Sequence, residues 1–161
     1  MTKLIGIDPG IMTTGIAVYD PAGSQLELFT GDLQKAMSFL ARNTASDYIV
    51  IMEDPNCDSA VFGMWQQFQK LGRDASALAR VLKQAQSVGM NKAAAQLLGL
   101  VMSRAGYRIA RIAPSNRHRA DTKNTPVELL RFPTKTTKEQ FKKLTGFDGQ
   151  SSEHSRDAAT L

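Results

Sequence analysis

Four side chains in this sequence have the types and placement to hold a cation: Asp8, Glu53, His154 and Asp157. Asp8 closes the run Leu4-Ile5-Gly6-Ile7 and is followed by Pro9-Gly10, whereas Glu53 closes Tyr48-Ile49-Val50-Ile51-Met52 just ahead of Asp54-Pro55. In both places an apolar strand ends in a carboxylate, which is costly to bury unless something cationic stands beside it. His154 and Asp157 are three apart in the closing segment, so a helix there puts them on one face with Ala158 and Leu161. Side chains at that spacing lie roughly 5–6 Å apart at Cβ. Such a face makes sense if it leans on a sheet end that bears Asp8 and Glu53. Oxygen donors suit magnesium or manganese, and two such ions roughly 3.5–4 Å apart can stabilise both the attacking water and the leaving oxygen in phosphodiester cleavage. The imidazole favours manganese somewhat, or positions the water. Each residue has a plain reading as well: a turn residue, a surface acid, a solvated helix pair. The conjunction carries the metal reading. Glu153 replaces His154 if the helix is rotated, and Asp54 is expected to be a bystander.

The elements that must position these groups follow from periodicity. Residues 3–8, 14–20 and 25–30 read as an antiparallel meander, with a turn at Asp20-Pro21-Ala22-Gly23. Asp32 is a helix N-cap ahead of Leu33, Ala36, Met37 and Leu40. The almost wholly apolar 48–52 run predicts a strand buried on both faces, which Pro55 stops. Two helices are expected next, one after Asp74 through Ala85 and a longer one from about Val88 to Ala105, with Gly106 as its stop. A further strand runs from Tyr107 to Ala113. Thr136-Thr137-Lys138-Glu139 reads as a capping box for a short helix, and a serine caps the last one.

Composition bounds the rest. With 161 residues, 42% hydrophobic and 22% charged, the chain is expected to be one domain over 1–161 with a core of its own. The single cysteine, Cys57, allows no intrachain disulfide, and a reducing, cytoplasmic setting is the simpler expectation. The opening Met1-Thr2-Lys3 leaves no room for a signal-peptide apolar region, and no run approaches the roughly 18 apolar residues that span a membrane. The net charge of +5 is concentrated. Between Ser115 and Phe147 stand eight basic residues against Asp121, Glu128 and Glu139, which is the whole surplus. A segment of that kind points to a polyanion, most simply nucleic acid. The expected phosphate contacts are Lys92, read as a helix start, with Arg117, Arg119, Lys123, Lys135 and Lys138.

Several of these stretches, in this order, resemble the RuvC-type Holliday-junction resolvases of the ribonuclease-H-like superfamily. They are Asp8-Pro9-Gly10 with Thr14-Gly15-Ile16-Ala17, the strand ending at Glu53, Asn91-Lys92-Ala93, the strand into Ala113-Pro114, and His154-Ser155-Arg156-Asp157-Ala158-Ala159. The resemblance covers nearly the whole chain. It implies an α/β fold, a ribonuclease-H-like mixed five-stranded sheet (antiparallel meander plus parallel strands) flanked by helices. It also implies an acidic quartet, mapped by position to Asp8, Glu53, His154 and Asp157, holding two Mg2+ ions, with Mn2+ as a substitute. A homodimer would nick two strands of like polarity in a four-way DNA junction. Small size and a compact ending look more like a bacteriophage version than a cellular one. The chain departs from the bacterial family in carrying more residues between Glu53 and Asn91. An aromatic near the acidic strand end is expected to stack on a junction base, and Phe62, Trp65 and Phe68 are the candidates.

Three rivals stand beside this reading. Another ribonuclease-H-like nuclease, cutting RNA–DNA hybrid or RNA, would use the same metals. A sugar-kinase or actin-like ATPase shares the apolar strand and Asp-x-Gly loop but needs a far longer chain. A non-catalytic junction-binding protein would have no use for clustered acids that repel phosphate.

Overall fold

Residues 2–43, 45–57, 69, 75–114 and 137–161 are described by the computed structural model. Five strands form one sheet: β1 (Lys3–Asp8), β2 (Thr14–Asp20), β3 (Gln25–Gly31), β4 (Tyr48–Glu53) and β5 (Arg108–Ile112). The order is β3-β2-β1-β4-β5, with β1, β2 and β3 antiparallel and β4 and β5 parallel to β1. The meander and the apolar run that adds to it are as the periodicity predicts. Among the described residues four α-helices accompany the sheet: α1 (Leu33–Ala41), α2 (Ala75–Arg104), α3 (Lys138–Thr145) and α4 (Glu153–Ala159). Among the described residues, no helix is long and apolar enough to cross a membrane.

Alternation assigns the two faces of the sheet. Ile5 and Ile7 of β1, Ile16 of β2, and Val50 and Met52 of β4 point to the same side and are fully buried. They pack with Ala36 and Leu40 of α1 and with Ala95, Leu98 and Met102 of α2. Tyr107 locks this layer, its hydroxyl donating to the carbonyls of Leu40 at 2.7 Å and Asn43 at 3.0 Å. The opposite side of β4 is only half-buried, so the strand is not enclosed on both faces as its apolar run suggests.

Three local expectations are corrected. The chain from 75 to 104 is one helix of 30 residues, not two. The polar stretch Lys83-Gln84 and Gln86-Ser87 interrupts the apolar stripe without breaking the backbone, since it contains no proline, and the Ser87 hydroxyl simply bonds back to the Lys83 carbonyl at 3.0 Å. Lys92 therefore sits inside a helix, not at its start, and the outward-pointing amides expected there are absent. The capping box of α3 is shifted by one residue: Thr137 and Gln140 exchange the reciprocal bonds, not Thr136 and Glu139.

Candidate active site at the carboxyl end of the central strands

Register puts the two strand-end carboxylates side by side. β1 and β4 pair in parallel through Ile7↔Met52, so the next residue of each strand is Asp8 and Glu53. Ile7 and Met52 face the α1–α2 core, so alternation turns Asp8 and Glu53 to the other face, where α4 lies. The same parity turns Asp54 back toward α2.

The seat of α4 is made by two glycines. A Cβ on Gly6 would overlap the Ala158 carbonyl, and one on Gly15 would overlap the His154 carbonyl and stand 2.7 Å from the Ser155 nitrogen. Backbone thus rests directly on backbone, with Ser155 and Ala158 buried beneath the helix. Ser152 caps α4 by accepting from Ser155 N at 3.1 Å, and its own hydroxyl meets that of Thr30 on β3 at 2.6 Å. The side of α4 that docks is Ser155–Ala158. His154 and Asp157 flank it and are not part of an apolar face.

This seating brings His154 Nδ1 to 2.8 Å from Asp8 Oδ2, with the carboxylate mostly covered and the imidazole about half-exposed. A carboxylate acceptor makes Nδ1–H the donor and leaves Nε2 for an outside partner. His154 also lines a cleft of about 220 Å³ with the Gly10–Thr13 turn and Ser87, Met90 and Asn91 of α2. The turn is clamped by Thr14, whose buried hydroxyl donates to the Gly10 carbonyl at 2.6 Å and accepts from Gly10 N at 3.2 Å.

The donor chemistry of the site suits a hard divalent cation. Two neighbouring ligands of an octahedral ion with bonds of roughly 2.1 Å lie about 3 Å apart, close to the Asp8–His154 separation of 2.8 Å, so this pair can exchange its hydrogen bond for a shared ion. Among the described residues no three His, Cys, Asp or Glu side chains stand together as a ligand group. Asp157, one turn along α4 from His154, is partly exposed, and Glu53 is half-buried at its strand end.

Asp54, turned away from the candidate ligands, has a structural part. It is 1% exposed and ion-paired with Arg111 of β5 at 2.9 Å. It also accepts from the Asn56 backbone at 2.9 Å and the Asn56 side chain at 2.8 Å. Asn56 in turn donates to the Lys92 carbonyl of α2 at 3.1 Å. Burial pushes the Asp54 carboxyl up, but the Asn56 bonds and the Arg111 guanidinium outweigh it and hold it below the usual carboxylate range. The network fastens the residue after Glu53 to both β5 and α2. Alternation along 50, 52 and 54, with the Asp-x-Asn turn, was the available signal. We expect Asp54→Ala to destabilise the fold by about 1–3 kcal/mol in urea unfolding, because it leaves the two Asn56 donors without their acceptor. The sign with pH follows from the lowered carboxyl. Its contribution is complete above the ordinary carboxylate range and is lost as pH falls through the lowered value, so wild type and variant should converge in strong acid.

Of the expected phosphate contacts, Lys92 is half-buried within α2, and Lys138 is exposed at the first position of α3. Arg117, Arg119, Lys123 and Lys135, and the aromatics Phe62, Trp65 and Phe68, lie outside the described residues.

No protein-family model matches the sequence, and no curated protein matches it. Solved structures do. The sheet and its flanking helices have the ribonuclease-H-like fold. One match is to T. thermophilus RuvC in complex with Holliday junction substrate: it covers 99% of this chain and 89% of that one, at a TM-score of 0.51 and 16% identity. At that identity the likeness is one of fold.

Proposed function

We propose that the chain, as a single nuclease domain, is a structure-selective endodeoxyribonuclease that resolves four-way DNA junctions by metal-dependent phosphodiester hydrolysis. The observation that carries the reading is the Asp8–His154 pair, seated beside Glu53 at the strand ends of a fold shared with a protein bound to a Holliday junction. Asp8, Glu53, His154 and Asp157 are the residues that would hold Mg2+ or Mn2+, two ions per site. Bound there, divalent cations would supply Lewis-acid stabilisation of the charge that develops on the phosphate. The chain's own part is positional. The glycine seat aims His154 and Asp157 from α4, and the Asp54 network holds the Glu53 strand end. Residues 115–136, which carry much of the excess positive charge, run between described ends at Pro114, which follows β5, and Thr137 at the start of α3. Pro114 lies at the carboxyl end of β5, whose Ile112 pairs with Glu53.

Two like-oriented strands of a junction need two such sites, and α2 offers a surface for a second copy. Leu78, Leu82 and Leu100 fall on one helical stripe with Gly89 and Ala93, and Leu97 lies at its edge. All four leucines are exposed, Leu82 by 59% and Leu100 by 48%. A stripe of this length is an unusual thing to leave in water. Leu100→Glu should convert a dimer to a monomer in light scattering while leaving the melting transition in place, and should uncouple the paired nicks. A variant that remains dimeric would rule this surface out.

The substrate is tested by a cleavage panel of four-way junction, RNA–DNA hybrid and linear duplex at equal concentration. Preference for the junction is expected. Preference for the hybrid would replace the substrate assignment, and binding without any cutting would leave a junction-binding protein.

A further inference from the structure

On the far side of α4 from the His154 cleft lies a second, polar cleft of about 440 Å³, between β3, the start of α3 and the approach to α4. Thr30, Gln150, Ser151 and Ser152 line it with hydroxyl and amide groups, and among the described residues Lys138 brings its one charge and no carboxylate lines it. Lys138 makes no hydrogen bond or ion pair with any described residue, although Glu139 and Asp148 lie within electrostatic reach. A second cation stands behind the wall, because Arg156 Nη1 donates to the Ser151 carbonyl at 3.1 Å and to its hydroxyl at 3.2 Å. Held so, Ser151 can turn its own hydroxyl hydrogen outward, while the Thr30–Ser152 bond and the Ser152 hydroxyl's bond to Ser155 Oγ at 3.2 Å tie the wall together. The cleft therefore combines a hydroxyl donor and a lysine, with a bonded wall that joins β3 to α4.

We infer that this cleft binds a backbone phosphate of the nucleic acid strand being cut, a few nucleotides from the cut itself. The inference rests on the nuclease reading for its substrate. β3 is two strand spacings from β1, about 10 Å, and nucleotides along a strand advance about 3.4 Å each. Hydroxyls and one lysine recognise a phosphodiester without reading its base. The cleft sets the register of the strand against Asp8, and Lys138 is a positioning residue.

The test uses the full chain with Asp8→Asn, to keep the DNA intact, and an immobile four-way junction carrying a single neutral methylphosphonate moved along the strand. With Lys138 present, one linkage position should weaken binding by about threefold or more at low salt. Lys138→Gln should cause the same loss, lower the slope of log affinity against log salt by about one, and remove the effect of the neutral linkage at that position alone. Ser151→Ala, which leaves all charges in place, should weaken binding at the same position to a smaller extent. An unchanged salt slope, or penalties that simply add at every position, would overturn the assignment. The two readings fail separately. A chain that shows the position-specific loss but cuts nothing keeps the cleft and loses the nuclease, and a chain that cuts junctions without that loss keeps the nuclease and loses the cleft.

Discussion

Asp8→Asn should lower the cleavage rate by at least about a thousandfold and leave junction affinity equal to or above that of the wild-type chain. The substitution keeps the size of the side chain and an oxygen that can still accept from His154 Nδ1, so the fold has no reason to change. On the proposed reading it removes a charge that would hold a divalent cation, and loss of a direct ligand would cost more than the 10–100-fold typical of residues that only support ligands. It also removes an acid that repels the phosphate backbone, hence the undiminished binding. Single-turnover cleavage and gel-shift titration on the same protein separate the two quantities. Cutting at an undiminished rate would remove Asp8 from the chemistry.

The largest structural effect is expected at Gly15. A methyl group there has nowhere to go, because the atoms it meets are the His154 carbonyl and the Ser155 nitrogen, which cannot swing aside as a side chain can. The only relief is to lift α4 off β2, which uncovers Ser155 and Ala158 and carries His154 away from Asp8. Gly15→Ala should therefore cost about 3 kcal/mol or more in stability and abolish cleavage even in whatever fraction stays folded. Gly6→Ala should do the same through the Ala158 carbonyl. Gly89, an exposed position within α2 with open space around its Cα, is the control when all variants are compared in the Leu100→Glu background, where the proposed α2 dimer contact is removed: Gly89→Ala should stabilise by up to about 1 kcal/mol. Urea melts of the three variants, with cleavage measured below the transition, distinguish a helix seat from a general intolerance of substitution. A Gly15→Ala protein as stable as wild type would mean that α4 does not rest where the geometry places it.

These two glycines also mark what was hard to read in the sequence. The strands of the meander, the acid closing β1 and the serine cap of α4 all follow from local periodicity and turn chemistry, and the structure agrees on each. The seat of α4 depends on a contact between residues 15 and 154, which no local pattern reports. The visible hint was a pair of glycines inside otherwise apolar neighbouring strands, where they weaken a strand unless another backbone approaches closely. Helical spacing shows which residues share a side, but the glycines decide how that helix docks, so the lean of α4 on the sheet end near Asp8 is legible in the sequence while the half-exposed setting of His154 is not. The structural network of Asp54 is hidden because an acid beside a proline looks like a strand end, whereas its alternation with Val50 and Met52 points it inward, away from Glu53. The continuity of α2 was hidden by a polar stretch that solvent tolerates on a long exposed helix.

The central claim is that Asp8 and its neighbours form a divalent-cation centre that cuts branched DNA. Its most direct test is to incubate the purified chain with a mobile four-way junction in Mg2+ or Mn2+ and map the nicks on all four strands, with a chelator control. The account predicts two nicks, on strands of like polarity, that vanish with the chelator. Folded protein that binds the junction and leaves all four strands intact in both metals would contradict it.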